Sequence, residues 1–134
     1  MSPIEIVNKM LDQDAFSQWL GIELLEIQKG KCILRMKLRN EMTNGFLIAH
    51  GGICYALADS CLAFAANSYG NQALSLETSI SHFKPVKVND ELIAKTHERH
   101  RSRKTALYDV EVFNQEKELV ALFKGTVYIT EKIW

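Results

Sequence analysis

One long apolar segment constrains the fold of this chain more than any other part of its sequence. It begins at the glycine pair Gly51-Gly52, continues as ICYALADSCLAFAANSY and stops at Gly70. Most of positions 53–66 are apolar or small, and Asp59 is the one charge. A helix that is apolar nearly all round is a buried one. The segment therefore predicts a buried central helix with glycine at its start and Gly70 as its C-cap.

The start of this helix and its one charge both indicate chemistry. The first N–H groups of a helix have no internal partner, and the helix dipole adds partial positive charge there. Glycine leaves position 51 uncovered, so a polarised oxygen can approach it closely. Asp59 follows about two turns later, where a carboxylate in apolar surroundings is costly unless it is paired or used. A structural carboxylate and turn-forming glycines are the alternative interpretation of these residues.

Composition limits the classes of protein to which the chain can belong. At 134 residues it is long enough for one domain, 1–134, with its own core. Lys+Arg and Asp+Glu both number 16, so bulk charge indicates neither nucleic acid nor a membrane surface as partner. No apolar run reaches membrane-spanning length, and MSPIEIVNKM lacks the apolar region of a signal peptide. Three cysteines without metal-type spacing are typical of free thiols, so we expect a cytoplasmic protein.

Two short helices are predicted before residue 22. Ser2, Pro3 and Glu5 fit the N-cap, the first helical position and the capping box of one helix. Asp14 fits as the cap of a second short turn, AFSQWL, which ends at Gly21. We expect these helices to flank the functional site.

From residue 22 the hydrophobic period becomes that of a strand. IELLEI and KCILRMKL predict two strands joined through residues 28–30, the second with one exposed face. In the strand after Gly70, Leu74, Leu76, Thr78 and Ile80 alternate and are expected on one face. The predicted strands beyond the helix cover residues 73–83, 90–100, 105–114 and 118–129, with a hairpin connection at 114–117.

These patterns together predict an α+β fold. One antiparallel sheet wrapped around the long central helix, with the N-terminal helices beside it, accounts for both the apolar helix and the half-polar strands. Such a sheet leaves a face and its edges open, which a second copy of the chain would cover.

The motifs around the helix resemble a known family. Asn44-Gly45, His50-Gly51-Gly52 and Leu57-Ala58-Asp59 are similar to the hotdog-fold acyl-CoA thioesterases of the phenylacetate-degradation (PaaI-like) branch. The resemblance covers residues 21–128, including Phe83-Lys84-Pro85. It implies a hotdog fold, sites at a dimer interface, and a homodimer at minimum, with a homotetramer built as a dimer of dimers.

The resemblance also implies a role for each matching residue. Asp59 matches the catalytic carboxylate, either as nucleophile or as general base for water. Gly51 matches the residue whose backbone N–H polarises the thioester carbonyl, while His50 and Asn44 match polar residues that shape the loop and support carbonyl and water. Gly51 and Asp59 are ~12 Å apart along one helix. Two antiparallel central helices from different subunits would bring Gly51 of one near Asp59 of the other.

One position departs from related branches, some of which carry Ser or Thr one turn after the carboxylate. This chain has Ala63 there, so water must be held elsewhere or Asp59 attacks directly. Ser60, Ser75 and Glu77 are candidates for the missing support, although each can equally be a polar residue on a strand or helix face.

Substrate contacts are predicted in three places. Coenzyme A needs cations for its phosphates, and Arg101, Arg103 and Lys104 lie in the densest basic run, although a solvated hairpin turn would have the same composition. We place Gly52, Phe46 and Ser75 among the other substrate-binding residues. Six apolar side chains are candidates to line an acyl pocket, although each can equally be an ordinary core residue: Phe46, Leu47, Ile48, Tyr55, Leu62 and Phe64.

No metal and no separate cofactor is predicted, because coenzyme A is part of the substrate. His97 and His100 mimic an HxxH motif, but on a strand they would point to opposite faces.

The sequence therefore predicts an acyl-CoA thioesterase acting on an aromatic (phenylacetyl-type) or medium-chain ester. The aromatic group is implied by the resemblance, whereas the residues alone indicate only an apolar acyl chain. A hotdog dehydratase on acyl thioesters is disfavoured because its usual glycine/proline-framed histidine loop is absent. A non-catalytic acyl-CoA-binding module normally lacks the helix carboxylate, and a purely structural protein would gain from Ala or Leu at position 59.

Overall fold

Two short helices open the chain in the computed structural model, which describes residues 1–134. They are α1 (Pro3–Gln13) and α2 (Ala15–Leu20). Ser2 caps α1 by accepting the Glu5 N–H at 3.4 Å, and Asp14 caps α2 by accepting the Ser17 N–H at 2.9 Å. Both predicted helices are confirmed with their predicted caps.

One six-stranded sheet and one long helix make up the rest of the chain. The sheet is antiparallel throughout, with the strand order β1-β2-β4-β5-β6-β3, so β1 and β3 are its edges. The arrangement confirms the predicted α+β fold of a sheet around a central helix. The elements are β1 (Glu23–Gln28), β2 (Lys31–Lys37), α3 (Gly51–Asn67), β3 (Asn71–His82), β4 (Glu91–Arg101), β5 (Thr105–Phe113) and β6 (Leu119–Ile133).

The helix α3 forms the centre of the core and packs against all six strands. Leu57, Ala58 and Cys61 are fully buried along it. The Cys61 thiol donates to the Cys32 carbonyl of β2 at 3.3 Å. All three cysteines are free, as the sequence predicted, and all three are buried.

The end of α3 differs from the prediction. The helix stops at Asn67 and its C-cap is Ser68, whose N–H donates to the Ala65 carbonyl. Polar side chains satisfy the last carbonyls, because Asn67 Nδ2 donates to Ala63 and Ser68 Oγ donates to Ala65. The predicted glycine C-cap was wrong, and Gly70 instead turns the chain two residues later at φ +112°.

The edge strand β3 also differs from the regular alternation of faces that its sequence predicts. A bulge between Ser75 and Glu77 places two residues of β3 opposite one step of β6. Leu74 lies opposite Tyr128 and is exposed, whereas Ile80, beyond the bulge, is partly buried and packs against the core. The prediction that these side chains share one face was therefore wrong.

No helix of the chain has the length and apolar character that crossing a membrane requires.

Candidate active site

The first residue of α3 presents a free backbone donor. His50 is the N-cap, and its Nδ1 accepts the Gly52 N–H at 3.0 Å. The Ile53 N–H donates to the His50 carbonyl at 2.9 Å, and the Gly51 N–H has no acceptor within the chain. Because His50 Nδ1 is an acceptor, the neutral imidazole holds its proton on Nε2. The helix therefore begins with an unpaired N–H at the positive end of its dipole.

The loop before α3 is held by Asn44. Its side-chain oxygen accepts the Phe46 N–H at 2.9 Å and the Ile48 N–H at 3.4 Å, and its carbonyl accepts the Leu47 N–H at 3.0 Å. Leu47 adopts φ +62° at the tip. Phe46 and Leu47 are 84% and 77% exposed. Asn44 thus shapes the loop, while both apolar side chains project outward and neither contributes to the core of its own chain.

A cavity of about 390 Å³ opens at the start of α3. Asn44, His50 and Gly51 line it, as does Cys54 from the next turn of the helix. Burial raises the pKa of the Cys54 thiol to about 11, so this thiol stays protonated at neutral pH and is not a ready nucleophile. The cavity can accept an oxygen that approaches the free Gly51 N–H.

His82 joins this cavity and was missed in the sequence. It is the last residue of β3, and its Nε2 would lie 3.5 Å from a Cβ atom on Gly51. In the sequence His82 looks like one more polar residue of an alternating strand. Its position just before Phe83-Lys84-Pro85 was the one available signal, because only the tertiary fold brings the end of β3 to the start of α3.

Asp59 faces a second cavity, of about 290 Å³. The residue is half-buried, and its carboxylate makes no hydrogen bond and no ion pair within the chain. Burial alone raises its pKa above the ordinary value. Leu62 and Ala63 line the same cavity, so no hydroxyl is present one turn beyond the carboxylate. An unpaired carboxylate at such a site can accept a proton or attack an electrophilic carbon.

Only one of the three candidate supports shares the cavity with Asp59. Ser75 lines it from β3. Ser60 Oγ instead lies 2.9 Å from Ser17 Oγ and links α3 to α2. Glu77 lies in a separate groove beside Lys124 of β6.

The two cavities have no lining residue in common. Gly51 belongs to one and Asp59 to the other, as expected for residues ~12 Å apart along a helix. Within a single chain, the Gly51 N–H and the Asp59 carboxylate therefore lie at different cavities.

The basic run lies at the hairpin between β4 and β5. Arg101 places its guanidinium 3.6 Å from the centre of the Tyr69 ring, and Arg99 pairs with Asp109 at 2.7 Å. Arg103 and Lys104 are exposed, with Arg103 Nη2 3.5 Å from Glu131. These two side chains have the freedom to contact an anion, whereas Arg101 and Arg99 are already engaged.

The remaining predicted residues have simpler surroundings. Gly52 is exposed beside Gly51 and donates its N–H to His50. His97 pairs with Glu111 across the sheet, and no three His, Cys, Asp or Glu side chains come together in a metal-binding group. Leu62 lines the Asp59 cavity, whereas Phe64 is a fully buried core residue.

A long helix enclosed by one antiparallel sheet defines the hotdog fold class. The sequence model of the thioesterase superfamily matches residues 46–121, and the chain belongs to this superfamily.

Individual relatives resemble the chain over most of its length. The acyl-coenzyme A thioesterase PaaI of Escherichia coli is 35% identical over 116 residues, which is 87% of this chain and 83% of that protein. The structure of E. coli PaaI, from the phenylacetic acid degradation operon, matches with a TM-score of 0.95 at 31% identity, covering 98% of this chain and 95% of that one. A hypothetical thioesterase of Streptococcus pneumoniae, solved with coenzyme A, matches with a TM-score of 0.87 at 28% identity, covering 94% of this chain and 98% of that one.

Proposed function

We propose that this chain is an acyl-CoA thioesterase that hydrolyses an aromatic or medium-chain acyl-CoA to the free acid and coenzyme A. The proposal rests on the surroundings of the Asp59 carboxylate. A half-buried carboxylate with no partner faces a cavity from the central helix of a thioesterase-superfamily fold. The similarity to E. coli PaaI, an acyl-coenzyme A thioesterase, supports the same reaction.

The Gly51 N–H supplies electrostatic stabilisation in this proposal. Attack on a thioester moves negative charge onto the carbonyl oxygen, and a fixed N–H donor aimed at that oxygen is typically worth ~3 kcal/mol. His50 supports this role because it takes up the Gly52 N–H and leaves the Gly51 N–H free. Asn44 supports it by fixing the preceding loop through Phe46 and Ile48.

Asp59 supplies the second half of the reaction by one of two routes. As a general base it removes a proton from water, the water oxygen bonds to the thioester carbon, the C–S bond breaks and the thiolate of coenzyme A takes up the proton. As a nucleophile it bonds to that carbon itself, the C–S bond breaks and the thiolate of coenzyme A leaves. Water then cleaves the resulting mixed anhydride, which releases the free acid, restores the Asp59 carboxylate and supplies the proton that the thiolate takes up. Ser75, which lines the same cavity, holds water or the acyl carbonyl in this proposal.

The complete site needs two subunits in this proposal. Two antiparallel α3 helices bring the Gly51 half of one chain to the Asp59 half of its partner. The exposed edge strand β3, with Leu74 and Leu76 uncovered, supports pairing along that edge. Phe46 and Leu47, which project from their own chain, would then reach the partner. The assembly is a homodimer at minimum, and two such dimers make the proposed homotetramer.

The test is hydrolysis of phenylacetyl-, hydroxyphenylacetyl-, benzoyl-, hexanoyl- and palmitoyl-CoA by the wild type and by Asp59→Asn, followed with a thiol-trapping dye. Release of thiol by the wild type, and a loss of about a thousandfold in kcat in the variant, supports both the reaction and the role of Asp59. Binding of the same esters without release by the wild type would contradict the proposal and favour a non-catalytic acyl-CoA-binding module.

A further inference from the structure

A third cavity adjoins the one that Asp59 faces. It has a volume of about 370 Å³ and lies between α1 and the end of β6, with Lys9, Gln13 and Asp14 around it. Met10 and Trp134 line both this cavity and the Asp59 cavity. These two side chains therefore border both spaces, and we refer to the pair as the wall.

Trp134 is fixed in this wall by hydrogen bonds. Its backbone N–H donates to the Gly70 carbonyl at 2.9 Å, and its indole N–H donates to Asn67 Oδ1 at 2.8 Å. Asn67 is itself locked, since its side chain also donates to the carbonyls of Ala63 and Ala73 and accepts the Ala73 N–H. The indole is thus anchored to the last turn of the central helix, whereas Met10 is an unbranched side chain that can change rotamer.

The Asp59 cavity suits an acyl group by its chemistry. Most of its lining is apolar, with Leu62 and Ala63 from α3 and Val127 from β6. Its volume of about 290 Å³ stands at the lower end of the range for small-molecule sites, roughly 300–1,000 Å³. A single aromatic ring or a short chain fits such a space. Opening the wall would join it to the adjoining cavity, which is the larger of the two.

We propose that Trp134, together with Met10, closes the acyl cavity beside Asp59 and so restricts this chain to single-ring acyl groups and to the shorter medium-chain ones. The inference rests on the proposed thioesterase function, since it takes the Asp59 cavity as the acyl site. Trp134 is a specificity-determining residue and takes no part in bond breaking. Removing its ring lets a long acyl chain run on between α1 and β6 toward Lys9 and Gln13.

The experiment measures binding and turnover separately. Coenzyme A thioethers with a phenethyl or a dodecyl group cannot be hydrolysed, so their dissociation constants report cavity size without catalysis. They are measured for the wild type, Trp134→Ala, Trp134→Phe and Met10→Ala. We expect Trp134→Ala to bind the dodecyl thioether at least tenfold more tightly than the wild type and the phenethyl thioether no more tightly. The ratio of kcat/KM for dodecanoyl-CoA to that for phenylacetyl-CoA should rise by a similar factor.

Two variants keep the test valid if the first folds poorly. Trp134→Phe loses the hydrogen bond to Asn67 but keeps an aromatic ring in the wall, so the wild-type preference should remain. Met10→Ala opens the wall from α1 without touching that hydrogen bond, and it should shift preference in the same direction as Trp134→Ala. Ile4→Ala, on the same helix and lining neither cavity, is the matched control.

The outcomes distinguish the inference from the function on which it rests. Unchanged binding of the dodecyl thioether in both opened variants overturns the role of the wall, even if the wild type is an active thioesterase. A shift in thioether binding without hydrolysis of any ester supports the size-limiting role of Trp134 and Met10 and contradicts the proposed reaction.

Discussion

The His82 imidazole lies against the first residue of the central helix, with its Nε2 3.5 Å from the point where a Cβ atom on Gly51 would stand. Apart from the adjoining residues and the backbone of the helix itself, no atom comes as near to that point. The His82 ring therefore lines the cavity directly beside the first residue of α3.

This relationship predicts the effect of Gly51→Ala. The added methyl makes only an ordinary van der Waals contact with His82, so the fold and its thermal unfolding should be unchanged. The methyl stands beside the free N–H, however, and hinders a carbonyl oxygen from reaching it, so kcat/KM should fall by about tenfold to a hundredfold, within the loss of one oxyanion donor. Gly45→Ala is the control because its methyl would meet nothing within 4 Å. Equal activity of the two variants would remove Gly51 from the site.

Asp59→Asn should raise stability at neutral pH while it removes activity. Burial raises the pKa of Asp59, so the protonated acid is the form that the folded state favours. The stability that this group contributes is complete below its unfolded pKa and is lost as pH rises through the higher folded pKa. The wild type therefore holds an unfavourable charge at pH 7 that asparagine lacks, and the variant should have the higher Tm there.

The check is thermal unfolding of both proteins from acid to neutral pH. The difference in Tm should shrink as the pH falls below the ordinary range of aspartate. Asp12→Asn, at an exposed position on α1, should show no such trend. A lower Tm for Asp59→Asn at pH 7 would mean that the carboxylate has a stabilising partner.

The pH dependence of turnover should report the same carboxylate. Asp59 acts only when ionised, so kcat/KM should decline as the pH falls through its raised pKa. Burial, not a neighbouring charge, causes the shift, and salt screens charge–charge interactions but not burial. The acid limb should therefore keep its position between low and high salt. A limb that moves strongly with ionic strength would indicate control by the basic hairpin or another charged group.

The hairpin between β4 and β5 should affect affinity for the nucleotide part of the substrate. Arg103→Ala combined with Lys104→Ala removes two exposed cations, so KM for coenzyme A esters should rise several-fold with little change in kcat. Thioesters of a short thiol that lacks phosphates should be unaffected. Lys29→Ala with Lys37→Ala makes the same change in net charge at exposed positions elsewhere and serves as control. An unchanged KM would leave the hairpin as solvated surface.

The sequence predicted the elements better than their irregularities. The helix and the central motif could be predicted from the apolar run around Asp59, and the strands from the segments with a hydrophobic period of two. Both kinds of pattern are local in the sequence. The bulge at Leu76 was not predictable in the same way, since the apolar residues around it alternate regularly and only pairing with β6 reveals the extra residue. The C-cap was misplaced because Asn67 and Ser68 take the role that glycine usually has.

The site was predicted in part for a related reason. His50, Gly51 and Asp59 lie within one short stretch, so their spacing is visible in the sequence. His82 and Trp134 reach the two cavities only through the fold, from the ends of β3 and β6. The separation of the Gly51 and Asp59 halves follows from helix geometry alone.

That separation has a consequence for mixtures of defective chains. In the proposed antiparallel pair, a Gly51 variant still offers a sound carboxylate, and an Asp59 variant still offers a sound helix start. When one of each associates, one of the two sites receives both sound halves and the other receives both damaged ones. Two preparations that are each inactive should thus regain measurable turnover once unfolded and refolded together, in the manner of complementing alleles.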